Sequence, residues 1–313
     1  MSQLKGQKVI VTGGAGFIGS HLVDALVREG CHVFVIDNEN TGTTENLAEN
    51  LGSISIVKGS VLDKDLLKKV FEGAGVIFHQ AAIPAVPRSL EYPADTHLTN
   101  VVGTLNVFEC VKELGIRRVV YASSSSVYGD SKVLPQHEKM QYNPLSPYAL
   151  QKVTCEKYGE LFFNLFGVET VGLRYFNVFG PRQNPSSPYS AVIPIFIKTM
   201  KEGRIPTIYG DGQTTRDFSY VDNAVNANLQ AALAENVGGK VFNIASGNPV
   251  SLNELVEKIN DVLGTHIRPQ YADFRIGDIK HSFANIEQAK LHLKYEPKVS
   301  FDDGLQRVIQ SIQ

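Results

Sequence analysis

Cysteine is scarce in this chain: Cys31, Cys110 and Cys155 each stand alone among 313 residues, with no Cys-x-x-Cys pair and no histidine cluster beside them. That excludes a disulfide framework, argues against a metal centre and leaves buried, reduced thiols as the expectation. Long hydrophobic runs are missing too, since the apolar stretches are only strand-length and the chain enters its first strand without a signal-like segment. No membrane span or secretory leader is expected, and a cytoplasmic protein is the reading. Charge of one sign is not in excess either. With a net charge of −2 and scattered Lys and Arg, there is no basic stripe for nucleic acid and no polybasic patch for a membrane. Internal repeats and low-complexity tracts are absent. What remains is 43% apolar content in a chain long enough for one large or two smaller lobes, each with a core.

Strand-like runs recur at about 8–12, 32–36, 54–58, 75–79, 118–122 and 168–173, with helix-patterned segments between them. This alternation predicts an α/β fold, a Rossmann-type doubly wound parallel sheet whose strand ends share one edge. After Arg174 the texture becomes loop-rich, with Gly180-Pro181, Asn184-Pro185 and Gly210-Asp211-Gly212, as expected of a smaller α/β substrate-binding lobe. A helix at about 222–235 and a strand at 241–245 then return to the first texture. The expected division is therefore 1–174 with 217–246 for one domain and 175–216 with 247–313 for the other.

The first strand runs into Gly13-Gly14-Ala15-Gly16-Phe17-Ile18-Gly19 and then an apolar-periodic helix. Gly13 suits a tight turn, Gly16 lets backbone approach a pyrophosphate, and Gly19 allows close helix packing, with the anion at the helix N-terminus. The second strand ends in Asp37, which suits adenosine ribose hydroxyls and repels a 2′-phosphate, so NAD is favoured over NADP. Further along, Tyr148 and Lys152 stand at i,i+4, which places a phenol and an ammonium on one helix face where the cation favours phenolate. With Ser124 supplying a hydroxyl upstream, the trio can take a proton from a substrate alcohol.

With the glycine turn, Asp37, the serine run from Ser123 to Ser126, Tyr148 and Lys152 in this order, the chain resembles the extended short-chain dehydrogenases/reductases that modify nucleotide sugars. The resemblance spans nearly the whole chain. Within that superfamily it is most similar to the UDP-hexose 4-epimerases, especially the branch acting on N-acetylated sugars. It is carried by His79-Gln80-Ala81-Ala82, Val86-Pro87-Arg88-Ser89, the run Leu173-Arg174-Tyr175-Phe176-Asn177-Val178-Phe179-Gly180-Pro181-Arg182-Gln183, and Tyr209-Gly210-Asp211-Gly212-Gln213-Thr214-Thr215-Arg216-Asp217-Phe218.

The resemblance implies that Ser124 bonds the sugar 4-hydroxyl, that Tyr148 exchanges its proton, and that Lys152 bonds the nicotinamide ribose and stabilises the phenolate. It adds Phe17, Ile18, Asn38, Asn40, Thr41 and Gly42 to the cofactor residues around Gly13, Gly16, Gly19 and Asp37. Gln80, Ala81 and Ala82 with Asn100 would floor the nicotinamide side, and Tyr175 is expected among the cofactor residues. Asn177, Arg216, Arg275 and Asp278 would hold the UDP moiety, while Ala191, Val192, Ile193 and Phe196 line the uracil. Two arginines suit a diphosphate, because each offers a bidentate fork. Arg88, Ser125, Ser126 and Tyr209 are expected at the sugar nucleotide as well. A homodimer packing the helices near 95–114 and 146–166 is implied.

One departure concerns adenine: the family's acid after the third strand is replaced by Gly59-Ser60-Val61, so Ser60 and Val61 take that place and Ser60 accepts the hydrogen bond. The reaction implied is oxidation at C4 to a 4-keto sugar and reduction from the opposite face, with no net oxidation. Dehydratases and decarboxylases of the superfamily carry acids where this chain has Ser125 and Ser126, which makes elimination and decarboxylation unlike this chain. A UDP-glucuronate 4-epimerase and a non-catalytic NAD-binding regulator stand as the alternatives. Ser282 aligns with a bulky tyrosine of epimerases restricted to plain hexoses, so a 2-acetamido group is expected to fit, and UDP-GlcNAc and UDP-GalNAc join UDP-Glc and UDP-Gal as expected substrates.

Overall fold

The first strand, β1 (Lys8–Thr12), is buried at every position after Lys8. Val9 and Val11 enter one layer of the core while Ile10 enters the other, as a strand covered on both faces requires. The computed structural model describes residues 3–84, 86–184, 191–274 and 279–312. Five more strands follow in the first half: β2 (His32–Asp37), β3 (Ile54–Lys58), β4 (Val76–His79), β5 (Arg118–Ser124) and β6 (Glu169–Tyr175). Between them lie α1 (Phe17–Arg28), α2 (Lys64–Phe71), α3 (Val86–Glu91), α4 (Pro93–His97), α5 (Gly103–Glu113) and α6 (Pro147–Phe166).

The second half contributes β7 (Val178–Phe179), α7 (Val192–Lys201), β8 (Thr207–Tyr209), β9 (Thr215–Asp217), β10 (Ser219–Tyr220), α8 (Val221–Leu233) and β11 (Lys240–Ile244). It ends with β12 (Pro249–Ser251), α9 (Leu252–Leu263), β13 (Gln270–Ala272), β14 (His281–Ser282), α10 (Glu287–Leu293) and α11 (Phe301–Ser311). The large sheet has the order β11-β6-β5-β4-β1-β2-β3, and every pairing in it is parallel. This is the doubly wound Rossmann-type arrangement. The strand order reverses beside β1, so the exits of β1 and β4 flank the crevice where such folds take their ligands.

Helices α1 and α8 cover one face of the sheet, and α2, α5 and α6 cover the other. Ile10, Ile36, Ile77 and Val119 are all buried on that second face. Each such side chain contributes about 1.5–3 kcal/mol on leaving water. A third cluster forms the small lobe, where Phe179, Phe196, Ile197, Phe218 and Phe301 pack between α7, α9 and α11. Its sheets are short: β9 lies between β12 and β14, β7 pairs with β10, and β8 pairs with β13.

The longest helix, α6, is well specified locally. Ser146 caps it by accepting from Ala149 N at 3.1 Å, Pro147 fills its first turn, and Gly167 ends it in the left-handed region at φ 71°. That geometry places residues 148 and 152 in its first two turns, over the end of β5.

Candidate active site

The turn after β1 leaves no room for a side chain at Gly13 or at Gly19. Gly13 has φ 71°, and a Cβ on it would lie 2.5 Å from Ala81 N; one on Gly19 would collide with Gly13 O. Helix α1 therefore starts against the turn, with Gly16 as its N-cap and no side-chain cap on its first amides. Gly16, Phe17, Ile18 and Gly19 all line one cavity of about 320 Å³ at the strand ends. An uncapped helix N-terminus facing a cavity is a site for phosphate. Asp37 steadies this turn by accepting from Ala15 N at 2.9 Å and from Glu39 N at 2.8 Å. Asp37, Asn38, Asn40, Thr41, Ser60 and Val61 share the cavity wall with the glycines. Gly42 is set behind them, where a Cβ would lie 2.5 Å from Ala15 O, so the segment folds closely over the turn. Ser60 Oγ already accepts from Leu62 N at 3.2 Å. These features fit a dinucleotide: a pyrophosphate at the helix, ribose hydroxyls at Asp37 and adenine near Ser60.

The opposite wall, Gln80, Ala81 and Ala82, is held from below by a histidine the sequence reading treated only as part of a motif. His79 Nε2 lies 2.9 Å from Thr104 Oγ1, whose single hydrogen goes to Asn100 O at 2.6 Å. Thr104 must therefore accept from Nε2–H, and Nδ1, 2.7 Å from Thr12 Oγ1, accepts from that hydroxyl. Burial, aided by the charge of Lys152, pulls His79 down to about 3, so the ring is neutral in the folded protein. Between pH 6.5 and 3 the unfolded chain binds a proton that the folded chain refuses. The ring's contribution is thus fully present above pH 6.5 and is lost as pH falls, by about 2 kcal/mol between pH 7 and pH 5. A His79→Gln variant, which cannot titrate, should be less stable than the parent at pH 7 and should narrow that gap at pH 5. Urea melts at both pH values measure it, and a constant gap would remove His79 from the acid response.

Asn100 does not floor the cavity as expected. It is buried in a single wide turn, Leu98–Val102, and its amide is spent on the Ile83 backbone, accepting from N at 2.7 Å and donating to O at 3.1 Å, with a further bond to Gln151 at 2.8 Å. It shapes the 80–84 segment from behind, while Thr99 reaches the wall.

Ser124, Tyr148 and Lys152 meet in this same cavity, together with Tyr175. Ser124 ends β5 beside Tyr175 of β6, and its Oγ accepts from Ser126 N at 3.2 Å, which leaves its own hydrogen to donate. Lys152 Nζ donates to Ala122 O at 2.8 Å and stands 5.7 Å from the centre of the Tyr148 ring. Tyr148 is tied down at its backbone, where N donates to Ser89 Oγ at 3.1 Å. Arg88 on α3, Ser125 and Ser126 do not stand on the cavity wall, and Ser126 Oγ is buried with no partner among the described residues. For Ser125 and Ser126 this follows from the short helical turn Ser125–Tyr128, which carries the chain away from the strand end immediately after Ser124.

A second cavity, of about 520 Å³, opens in the small lobe and shares Asn177 and Val178 with the first. Ala191, Val192, Ile193, Phe196, Tyr209 and Arg216 line it, as do Phe179, Arg204 and Phe218, which the sequence did not single out. A lone arginine and two core-like phenylalanines carry no local signal. Asn177 has φ 35°, and its Nδ2 donates to Asp217 O at 3.2 Å, so the joint between the cavities is fixed to the strand of Arg216. Ser282 pairs with Arg216 across β14 and β9 and is buried, but it is not on either cavity wall. Arg275 and Asp278 lie outside the described residues. Among the described residues no group of His, Cys, Asp and Glu could hold a metal.

Comparison with known proteins agrees with this geometry. Residues 9–245 match the sequence model of the NAD dependent epimerase/dehydratase family. The chain is 37% identical to a UDP-glucose 4-epimerase of Mycolicibacterium smegmatis, covering 97% of each. A UDP-N-acetylglucosamine 4-epimerase of Methanobrevibacter ruminantium, solved with UDP-N-acetylmuramic acid, superposes with a TM-score of 0.94 at 41% identity, over 98% of both chains. A UDP-glucuronic acid 4-epimerase of Bacillus cereus, solved with UDP-glucuronic acid and NAD, gives 0.90 at 32% identity, over 97% of this chain and 98% of that one. This chain belongs to the NAD dependent epimerase/dehydratase family, and its cofactor is NAD.

Proposed function

We propose that the protein is a UDP-hexose 4-epimerase, acting on UDP-GlcNAc and UDP-GalNAc and also on UDP-Glc and UDP-Gal. The observation that carries this reading is the joining of two cavities at Asn177 and Val178: one holds the glycine turn with Ser124, Tyr148 and Lys152, the other holds Arg216. A sugar nucleotide lying across the joint would put its hexose beside Tyr148 and its diphosphate near Arg216. Bound NAD supplies reversible two-electron oxidation at carbon. Tyr148 takes the proton of the 4-hydroxyl and later gives it back, Ser124 orients that hydroxyl, and Lys152 supports the phenolate and the ribose. Gly13, Gly16, Phe17, Ile18 and Gly19 would hold the pyrophosphate, and the lobes would divide as 1–174 with 217–246 and 175–216 with 247–313.

Product analysis with UDP-Glc, UDP-GlcNAc, UDP-GlcA and their epimers tests the proposal directly. C4 epimers of the neutral hexoses should form; turnover of UDP-GlcA alone would replace this reading with a uronic acid epimerase. Acetylated sugars remain in the proposal because Ser282 is small; standing beside Arg216 in the sheet and off both cavity walls, it would act on the sugar indirectly. A homodimer through α6 is proposed as well, supported by Leu150, Leu161 and Leu165, which share a helix face and are at least half exposed or nearly so. Working in the cytosol would suit the three free, buried cysteines.

Asp37 is proposed to set the cofactor preference by accepting from the adenosine ribose and repelling a phosphate on it. Asp37→Ala should weaken NAD on the order of tenfold and narrow its advantage over NADP. Titration of both cofactors into stripped protein decides it, and a parent that prefers NADP would end the argument.

A further inference from the structure

Gln80 and Tyr175 both line the first cavity, at the exit of β4 and the end of β6, with β5 between them. Asn228, wholly buried on α8 and away from the cavity, joins the two. Gln80 Nε2 donates to Asn228 Oδ1 at 3.0 Å, Asn228 Nδ2 donates to Tyr175 Oη at 2.7 Å and to Ala224 O at 2.8 Å, and Tyr175 Oη donates to Gln80 Oε1 at 3.2 Å. The ring closes in one sense only. Both Asn228 amide hydrogens are spent, so turning either amide over would set donor against donor or acceptor against acceptor. Left over on the two cavity-lining side chains, among the described residues, are one amide hydrogen and one carbonyl lone pair of Gln80 and one lone pair of the Tyr175 hydroxyl. Burial pushes the Tyr175 phenol up to about 12, so the hydroxyl keeps its proton and the sense of the ring does not change across the working pH range.

We propose that Asn228 is a positioning residue for the nicotinamide end of the cofactor, because its ring holds one donor and one acceptor side by side at the cavity wall, matching a primary carboxamide. A carboxamide presents an oxygen to the Gln80 N–H and an N–H to the Tyr175 oxygen. Anchored so, the nicotinamide ring cannot turn about its glycosidic bond, and one face is kept toward Tyr148. The proposal rests on the first cavity being the dinucleotide site, and it concerns a residue that touches neither cofactor nor sugar.

Its test is a binding experiment on protein stripped of cofactor, titrated with NAD, with ADP-ribose and with the NAD analogue whose carboxamide is replaced by an acetyl group. Asn228→Leu should weaken NAD by about tenfold and leave ADP-ribose within about twofold of the parent. The parent's preference for NAD over the acetyl analogue should shrink in the variant. Parallel losses for NAD and ADP-ribose, or unchanged NAD affinity, would overturn the proposal. If Asn228→Leu does not fold, Tyr175→Phe carries the test, since it removes a single oxygen and should show the same selective loss. A parent that fails to bind ADP-ribose would overturn the reading of the cavity itself, and the proposal with it.

Discussion

Tyr148→Phe should lower turnover on the order of a hundredfold or more while leaving cofactor and sugar-nucleotide binding close to the parental values. The phenyl ring fills the same space, and the backbone bond from residue 148 to Ser89 is unaffected. Only the oxygen that exchanges the proton is lost. Lys152 keeps its bond to Ala122 O, so the cation remains where it was. The loss should therefore appear in kcat, with KM little changed, because the missing interaction is made to the group that changes charge during the reaction. Ser124 would still bond the 4-hydroxyl without a base to receive its proton. A variant that epimerises at the parental rate would show that another group takes the proton, and the proposed chemistry would have to be rebuilt around it.

The fold was largely legible before the structure, because its signals are local. Strands buried on both faces must read as short apolar runs, and all seven strands of the large sheet stand within a few residues of where those runs lie. Gly13 and Gly19 announce themselves since no other residue fits so close to Ala81 and to the turn itself. Tyr148 and Lys152 were legible from helical spacing, and their meeting with Ser124 in one cavity follows from α6 crossing the end of β5. What could not be read was any role created by long-range packing. Asn100 looks like a residue for the cofactor from its place in the chain, yet its amide is drawn off by Ile83 and Gln151, neither of them a neighbour in sequence. His79 and Asn228 gave no sign of their parts, because the groups they hold are brought to them only when the sheet closes.

The other large effect expected is on stability, from the buried ion pair beneath the site. Arg174 and Glu156 each have only 1% of their side chains exposed and meet in a two-pronged contact, Nε to Oε1 at 2.9 Å and Nη2 to Oε2 at 2.6 Å. The pair is fully woven in. Ser123 also donates to Glu156, while Arg174 Nη1 donates to Tyr128 Oη at 2.7 Å, and that hydroxyl donates on to Asn243 at 2.6 Å. Four elements are thereby joined: α6, which carries Tyr148 and Lys152; β5, whose last residue is Ser124; β6; and β11. Arg174→Met removes the cation and strands a carboxylate in the core, and breaking a pair in this way costs about 3–5 kcal/mol. In a chain of this size that should lower Tm by roughly 5–8 °C. Replacing both partners, as Glu156→Leu with Arg174→Met, leaves no buried charge and should recover much of the loss, since the desolvation penalty goes with the pair. Melts must be run at one fixed NAD concentration, because bound cofactor stabilises the folded state by itself. If the single variant melts with the parent, the pair holds nothing together. A double variant as unstable as the single one would instead place the cost in lost packing, in Ser123 without its acceptor and in Tyr128 without the Arg174 donor, and the stranded carboxylate would not be its cause.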